Sequence, residues 1–265
     1  MDKKTIMIAL GGNSLSPKGS SGTVGKQFSF TRRTMDHLSE FILKDYNICI
    51  THGNGPQVGN ELLRMDLTND LVPPLPLGIC VANTQGQIGY MVQQTLQNKL
   101  RDLEVDREVV TLVTQVLVDK NDKSIKNPTK FVGARYTKEE IDKLAKKLNW
   151  IVKEQEPGSW RRVVPSPMPE YIMHGKSIKA LVDRGTIVVA FGGGGIPVFN
   201  NNNGQIEGLD AVIDKDFSAA KMGRIIRAQE LWIISDIDYL YSNFGTENTK
   251  PIKEIVTKEL QSLYN

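Results

Sequence analysis

Five apolar runs constrain the architecture: TIMIAL (residues 5–10), NICITH (47–52), EVVTLVTQVLV (108–118), TIVVAF (186–191) and ELWIISD (230–236). None alternates apolar with polar residues over its length. That pattern marks strands covered on both faces. Helical periodicity lies between them. Residues 31–44 set Met35, Leu38, Phe41 and Ile42 on one face, and 85–103 set Ile88, Met91, Val92, Leu96 and Leu100 on another. Residues 176–184 run into Gly185 and then a strand, a common helix stop. Alternating strands and helices predict an α/β fold around a mainly parallel sheet.

Three of the runs end alike. TIMIAL leads to Gly11-Gly12-Asn13, NICITH to Gly53-Asn54-Gly55, and TIVVAF to Gly192 through Gly195. In a parallel sheet the carboxyl ends of the strands share one edge, where ligands bind. Glycine lets the backbone approach a ligand and adopt positive φ, and bare N–H groups can donate to anionic oxygens. A single such turn is merely a tight connection, but three on one edge predict a phosphate site. The loops are not of two familiar kinds. There is no GxxxxGK[ST], and GGGGIP places Pro197 where the helix of a GxGxxG fingerprint must run.

Two charged segments complete the candidate chemistry. DAVIDKD brings Asp214, Lys215 and Asp216 together after an apolar trio, and NPTK supplies Lys130. Phosphoryl transfer needs cations to neutralise the migrating group, and lysine is a compact one. By spacing alone, Lys130 is an ordinary surface lysine. It lies in a polar departure from the strand–helix alternation, residues 119–164. That stretch is either a small flap-like subdomain or a long solvated loop with a surface helix. VFNNNNGQIEG reads as a hairpin turning near Gly204.

Composition bounds the remaining classes. With 265 residues and 40% hydrophobic content the chain can bury a large core, and a net charge of +3 argues for neither nucleic acid nor a membrane surface. The run IMIAL is too short for a signal peptide and no segment reaches a membrane span, so a soluble cytoplasmic protein is expected. Cys49 and Cys80 sit among apolar neighbours and read as buried free thiols. His37, His52 and His174 lack metal-ligand spacing, so no protein metal site is expected. His52 reads as structural.

In order along the chain, ALGGN, THGNGPQVGN, ANTQGQIGYMVQQTLQN, NPTK, RRVVPSP, GGGGIPV and AVIDKD resemble the carbamate kinase family of the amino acid kinase superfamily. The resemblance runs from about Ile6 to about Phe244. It implies a dimeric three-layer αβα sandwich with an open sheet of about eight strands. Residues 1–175 would bind carbamate or carbamoyl phosphate, with a protruding subdomain at about 119–164; residues 176–265 would bind nucleotide. Gly11, Gly12 and Asn13 would face the transferring phosphoryl group, and Gly53, Asn54 and Gly55 would hold carbamate or carbamoyl phosphate. Lys130 would reach in from the subdomain, and Gly194 and Gly195 would add backbone donors. Asp214 would orient the cations and Lys215 would stabilise the transition state. Ser235, Asp236 and Tyr241 resemble the start of the adenine and ribose pocket. The implied reaction is reversible, Mg²⁺-dependent transfer between ATP and carbamate, closing fermentative arginine breakdown. Carbamate is already an anionic nucleophile, so no general base is required.

Departures from the family pattern include Ser14 and Asn83. Family members also continue beyond KELQSLYN into a Gly-Ser-Met-Gly-Pro-Lys segment bearing another phosphate-contacting lysine. Against that pattern the 176–265 lobe lacks its usual end, and a protein stopping there is expected to bind ATP weakly and turn over little. The alternatives are a degenerate binding module, or another carboxylate kinase of the superfamily. A Val at position 194 is expected to block the ligand and leave the fold intact.

Overall fold

The computed structural model of the chain describes residues 3–15, 22–235 and 237–264. Contacts group the chain into two units, Met1–Ile234 and Ser235–Asn265. The first unit opens with β1 (Thr5–Leu10), α1 (Gly12–Leu15), α2 (Val24–Asp36), α3 (Ser39–Leu43), β2 (Asn47–His52), α4 (Gly55–Thr68) and α5 (Leu77–Asp102). Next come β3 (Val109–Leu112), β4 (Gln115–Val118), α6 (Lys123–Lys126), β5 (Lys130–Tyr136), α7 (Lys138–Leu148), β6 (Val152–Glu156) and β7 (Ser159–Val164). The unit ends with β8 (Pro169–Ile172), α8 (Gly175–Asp183), β9 (Ile187–Ala190), β10 (Ile196–Asn200), β11 (Ile206–Gly208), α9 (Lys215–Ile225) and β12 (Glu230–Ile234). The second unit holds β13 (Leu240–Ser242), paired antiparallel with β14 (Lys250–Ile252), and then α10 (Thr257–Tyr264).

The central sheet has the order β12-β1-β2-β9-β3, and every pairing in it is parallel. Its strands are apolar on both faces because each face carries a core. Ile6, Ile8, Leu10, Ile48, Ile50, Ile187 and Val189 pack with Met35 of α2 and with Ile88 and Val92 of α5. The alternate residues Met7, Ala9, Cys49, Val188 and Ala190 pack with Ile178 and Val182 of α8 and with Ala219 and Met222 of α9. A helix layer on each side of a parallel sheet is the expected αβα sandwich. Both cysteines are free and buried, and burial pushes the Cys49 thiol up to about 12.

Residues 119–164 carry strands and a helix of their own rather than a long solvated loop. β5, β7 and β6 make a separate antiparallel sheet. Beside it, α7 starts with a reciprocal cap in which Glu140 N–H donates to Thr137 Oγ1 and Thr137 N–H donates to Glu140 Oε2. A second mixed sheet, β11-β10-β4-β8, joins this region to the sandwich.

Four expectations need correction. Among the described residues the central sheet has five strands, not about eight, because β4, β8, β10 and β11 form a sheet of their own. The run 108–118 is two strands in different sheets, because Gln85 takes both the N–H and the C=O of Thr114 and ends the ladder there. The 31–44 helix begins earlier, at Val24, and is interrupted between Asp36 and Ser39, although Met35, Leu38 and Ile42 are buried as expected. β12 is an edge strand whose Leu231, Trp232 and Ile233 are exposed, not a fully covered one.

α4 supports the subdomain through a glycine contact: a Cβ on Gly59 would lie 3.0 Å from Gly133 Cα in β5. Beside this joint, Leu62 and Asp66 of α4 line a cavity of 190 Å³ with Trp150 and Arg162. Arg162 lies over the Trp150 ring, 5.2 Å from its centroid. Asp66 has one buried oxygen without a hydrogen-bond partner. Burial raises its carboxyl to about 6, against the opposing pull of Arg162 and Lys147. The folded state therefore holds this proton more tightly than the unfolded chain does. Stability present below about pH 4 is lost as pH rises to about 6, and stays lost above. Asp66→Asn should accordingly melt at a higher temperature than the parent at pH 8, with the gap narrowing below pH 6 and closing near pH 4. The gain is about 1 kcal/mol once solvent screening of this half-buried group is discounted. A melting difference independent of pH would refute this account.

Candidate active site

β1, β2 and β9 are neighbours in one parallel sheet, so their carboxyl ends meet at one edge. The glycine turns that follow touch one another. Gly53 N–H donates to Leu10 O at 2.8 Å, and a Cβ on Gly53 would lie 2.8 Å from Gly12 N. Only a bare backbone fits that approach. Gly55 opens the 14-residue helix α4, which points the positive end of its dipole at this rim. Gly11 is buried, Gly12 and Gly53 are half-buried and Gly55 is exposed. Asn13 lies in α1.

The four-glycine turn is a 3-10 turn over Gly192–Gly194, with φ of +68° at Gly193, +91° at Gly194 and +99° at Gly195. Side chains fill the space where Cβ atoms would go. A Cβ on Gly192 would lie 2.2 Å from the His52 ring, one on Gly193 would lie 2.3 Å from Asn54 Nδ2, and one on Gly195 would lie 2.2 Å from Val116 Cγ2. His52 is thus a packing support. Burial lowers its pKa to about 4, so at neutral pH it is an uncharged ring with Nδ1 3.1 Å from Gly53 O. Asn54 is buried and its Nδ2 donates to Thr84 Oγ1 at 2.9 Å.

Gly194 and Gly195 differ from simple open donors. Gly194 N–H donates to Phe191 O at 3.1 Å and Gly195 N–H to Gly192 O at 3.2 Å, and both residues are buried. Any bond from these amides to an anion has to be shared with the turn itself.

The charged residues come from two directions. Lys130, the first residue of β5, donates from Nζ to Asp214 Oδ2 at 2.8 Å and so joins the subdomain to the start of α9. Asp214 caps that helix by accepting from Asp216 N–H at 3.0 Å. Burial pushes the Asp214 carboxyl up, but the Lys130 hydrogen bond and charge outweigh it and hold the group below the usual carboxylate range. Lys215 Nζ donates to Asp216 Oδ1 at 2.6 Å and is largely buried, its side chain 18% exposed. This segment abuts the glycine turn: a Cβ on Gly194 would lie 2.5 Å from Ile213 O, and Ser218 Oγ donates to Gly194 O at 2.7 Å.

Of the residues expected in the nucleotide pocket, Ser235 accepts from Ile237 N–H at 3.4 Å, and Tyr241 on β13 is tilted against Phe244 with ring centroids 6.1 Å apart. Both belong to the second unit, and Asp236 lies outside the described residues. Among the described residues no cluster of three His, Cys, Asp or Glu side chains could hold a metal ion, and no helix is long and apolar enough to cross a membrane.

Sequence reasoning missed Thr51, Thr84, Gln85 and Ser218, all buried polar residues around the glycine turn. For Gln85 a signal existed. Val81, Gln85, Ile88 and Val92 follow helical spacing, so an amide interrupts an otherwise apolar stripe.

A parallel sheet whose Gly192–Gly195 turn abuts the segment bearing Asp214 and Lys215, with Lys130 paired to that aspartate, has the kind of positioned cations that phosphoryl transfer requires. The profile of the Amino acid kinase family matches residues 4–265, and the chain belongs to that family. Within it, the similarity runs to carbamate kinases. The chain is 43% identical over 261 residues to the carbamate kinase of Pyrococcus horikoshii, covering 98% of this chain and 83% of that protein. It is 42% identical over 260 residues to carbamate kinase 2 of Staphylococcus epidermidis, covering 97% and 82%. Carbamate kinase from Giardia lamblia bound to citric acid superposes with a TM-score of 0.91 at 35% identity, covering 99% and 83%. The same Giardia enzyme bound to AMP-PNP gives 0.89.

Proposed function

We propose that this protein is a carbamate kinase, an enzyme transferring a phosphoryl group between ATP and carbamate. The observation that carries the reading is the rim itself: three touching glycine turns, with Lys130 arriving from a separate subdomain and meeting Asp214 beside Lys215. The 43% identity to carbamate kinases over nearly the whole chain supports it.

In the ATP-forming direction a β-phosphate oxygen of ADP attacks the phosphorus of carbamoyl phosphate. The bond between phosphorus and the carbamoyl oxygen breaks, and carbamate leaves as an anion. No proton moves at the reacting oxygens, so no side chain has to serve as base. This fits a site whose histidine is buried and uncharged. Lys130 and Lys215 would neutralise the transferring group, with Asp214 fixing Lys130. Gly11, Gly12 and Asn13 would face that group, and Gly53 through Gly55 would hold the carbamoyl end. Ser235, Asp236 and Tyr241 would begin the nucleotide pocket. Magnesium would arrive with the nucleotide. Asp214 and Asp216 each already bind a lysine, so the ion would draw most of its ligands from phosphate and water.

A homodimer, a cytoplasmic location and a place at the end of arginine breakdown are part of the proposal. Ile79 and Tyr90 on α5, both exposed, offer apolar surface for pairing. The deciding experiment couples ATP formation from ADP and carbamoyl phosphate to a dehydrogenase readout, with acetylglutamate and UMP tested as acceptors in reverse. ATP formation with no use of the other acceptors is expected. Preference for either of them would replace this reading with another kinase of the family. The absence of all turnover would leave a binding module.

A further inference from the structure

A turn of four glycines has a freedom that an anion site cannot tolerate. Glycine takes positive and negative φ about equally, so its peptide units can flip, presenting N–H or carbonyl oxygen to the same side. An outward carbonyl would set partial negative charge against an anionic substrate. In this structure three carbonyls of the turn accept from buried side chains of three different elements, two of them, Phe191 O and Gly192 O, in addition to the turn's own N–H groups. Thr51 Oγ1 of β2 donates to Phe191 O at 3.1 Å. Gln85 Nε2 of α5 donates to Gly192 O at 3.0 Å, and also to Thr114 O at 3.2 Å. Ser218 Oγ of α9 donates to Gly194 O at 2.7 Å. All three residues are at most 1% exposed.

Their placement is not what packing alone selects. Each interrupts an apolar surface, where a polar group is tolerated only when hydrogen-bonded and where an apolar side chain of equal size would avoid the desolvation. Gln85 is further constrained because its Oε1 accepts from Thr114 N–H at 2.8 Å, which fixes which end of the amide faces Gly192.

Building on the carbamate kinase reading, we infer that Thr51, Gln85 and Ser218 are positioning residues that set the peptide orientation of the Gly192–Gly195 turn, keeping its carbonyls off the carbamoyl phosphate side of the site. They touch no substrate. Their effect is on the electrostatics of the floor beneath the rim, and it should fall on the anionic acceptor rather than on the nucleotide.

The test uses the full chain with Thr51→Val, Ser218→Ala and Gln85→Met, plus Gln85→Glu as the conservative variant. Each of the first three should raise KM for carbamoyl phosphate at least tenfold while KM for ADP stays within twofold. A carboxyl at position 85, buried among carbonyls, has its pKa pushed up, and its protonated form can restore one donation. Gln85→Glu should therefore fall between the parent and Gln85→Met, and recover as pH is lowered. If Gln85→Met does not fold, the near-isosteric Thr51→Val and Ser218→Ala decide the matter. A KM for carbamoyl phosphate within twofold of the parent in both, or an equal rise for both substrates, overturns the inference. A parent protein that forms no ATP would sink the carbamate kinase reading instead. The clamp would then be judged by calorimetry with inorganic phosphate, whose dissociation constant these variants should raise at least tenfold; an unchanged constant overturns it.

Discussion

Lys130→Ala should lower turnover by about 100- to 1,000-fold, or about 3–4 kcal/mol of transition-state stabilisation, while changing KM for ADP little. The reason is where the lysine sits. It is the first residue of a strand in a subdomain with its own sheet, yet its ammonium reaches Asp214 at 2.8 Å, beside Lys215. A half-exposed ion pair of this kind adds at most about 1 kcal/mol to stability, so it is a weak reason to bring two parts of the protein together. Neutralising a phosphoryl group in transit is a stronger one. The variant carries a second signature. Without Lys130, the burial that pushes the Asp214 carboxyl upward loses its main opponent, so the residual activity should fall at a higher pH on the acid side than in the parent. Steady-state kinetics across pH reads both effects. A purely structural tie would instead lower the melting temperature and leave turnover intact, and unchanged turnover would end the proposed role.

How much of this was readable beforehand depends on the range of the interaction concerned. The glycine turns could be placed on one edge because parallel strands leave no other option, and TIMIAL and NICITH coincide with β1 and β2. The stripe from Ile88 to Leu100 is buried as its spacing requires. The failures share a cause. α5 starts at Leu77, eight residues before the periodic stretch, and Leu77 N–H donates to Asp210, a residue 133 positions away. The strand break at Thr114 is likewise made by Gln85, on a helix, and nothing in EVVTLVTQVLV announces it. Lys130 is an ordinary polar-loop lysine until the subdomain folds and carries it to Asp214. In the sequence, the four glycines read as openness toward a ligand. In the structure, the same glycines are compelled as much by His52, Asn54, Ile213 and Val116 pressing from within.

That last point makes Gly194→Val the most damaging single substitution expected. Sequence reasoning alone has it blocking the ligand and sparing the fold. The structure enlarges the effect. The first atom of any side chain at 194 would lie 2.5 Å from Ile213 O and 2.8 Å from Ile213 C, backbone atoms that cannot rotate aside. At φ +91° a β-branched residue is also strained regardless of space. Together these cost about 3–5 kcal/mol, a large share of a typical domain's stability, and should lower Tm by about 10 °C or more. Relief by moving Ile213 would drag Asp214 and Lys215 with it, so any folded fraction should also lose turnover. Gly194→Ala should behave nearly as badly, since the Cβ alone makes the clash. Gly204→Ala separates strain from collision: its φ is +76°, yet nothing lies within 4 Å of the added atom, so it should cost only about 1 kcal/mol. Thermal melts of the three variants give the comparison. If Gly194→Ala is no worse than Gly204→Ala, Ile213 does not press on the turn, and the packing described for the four glycines is wrong.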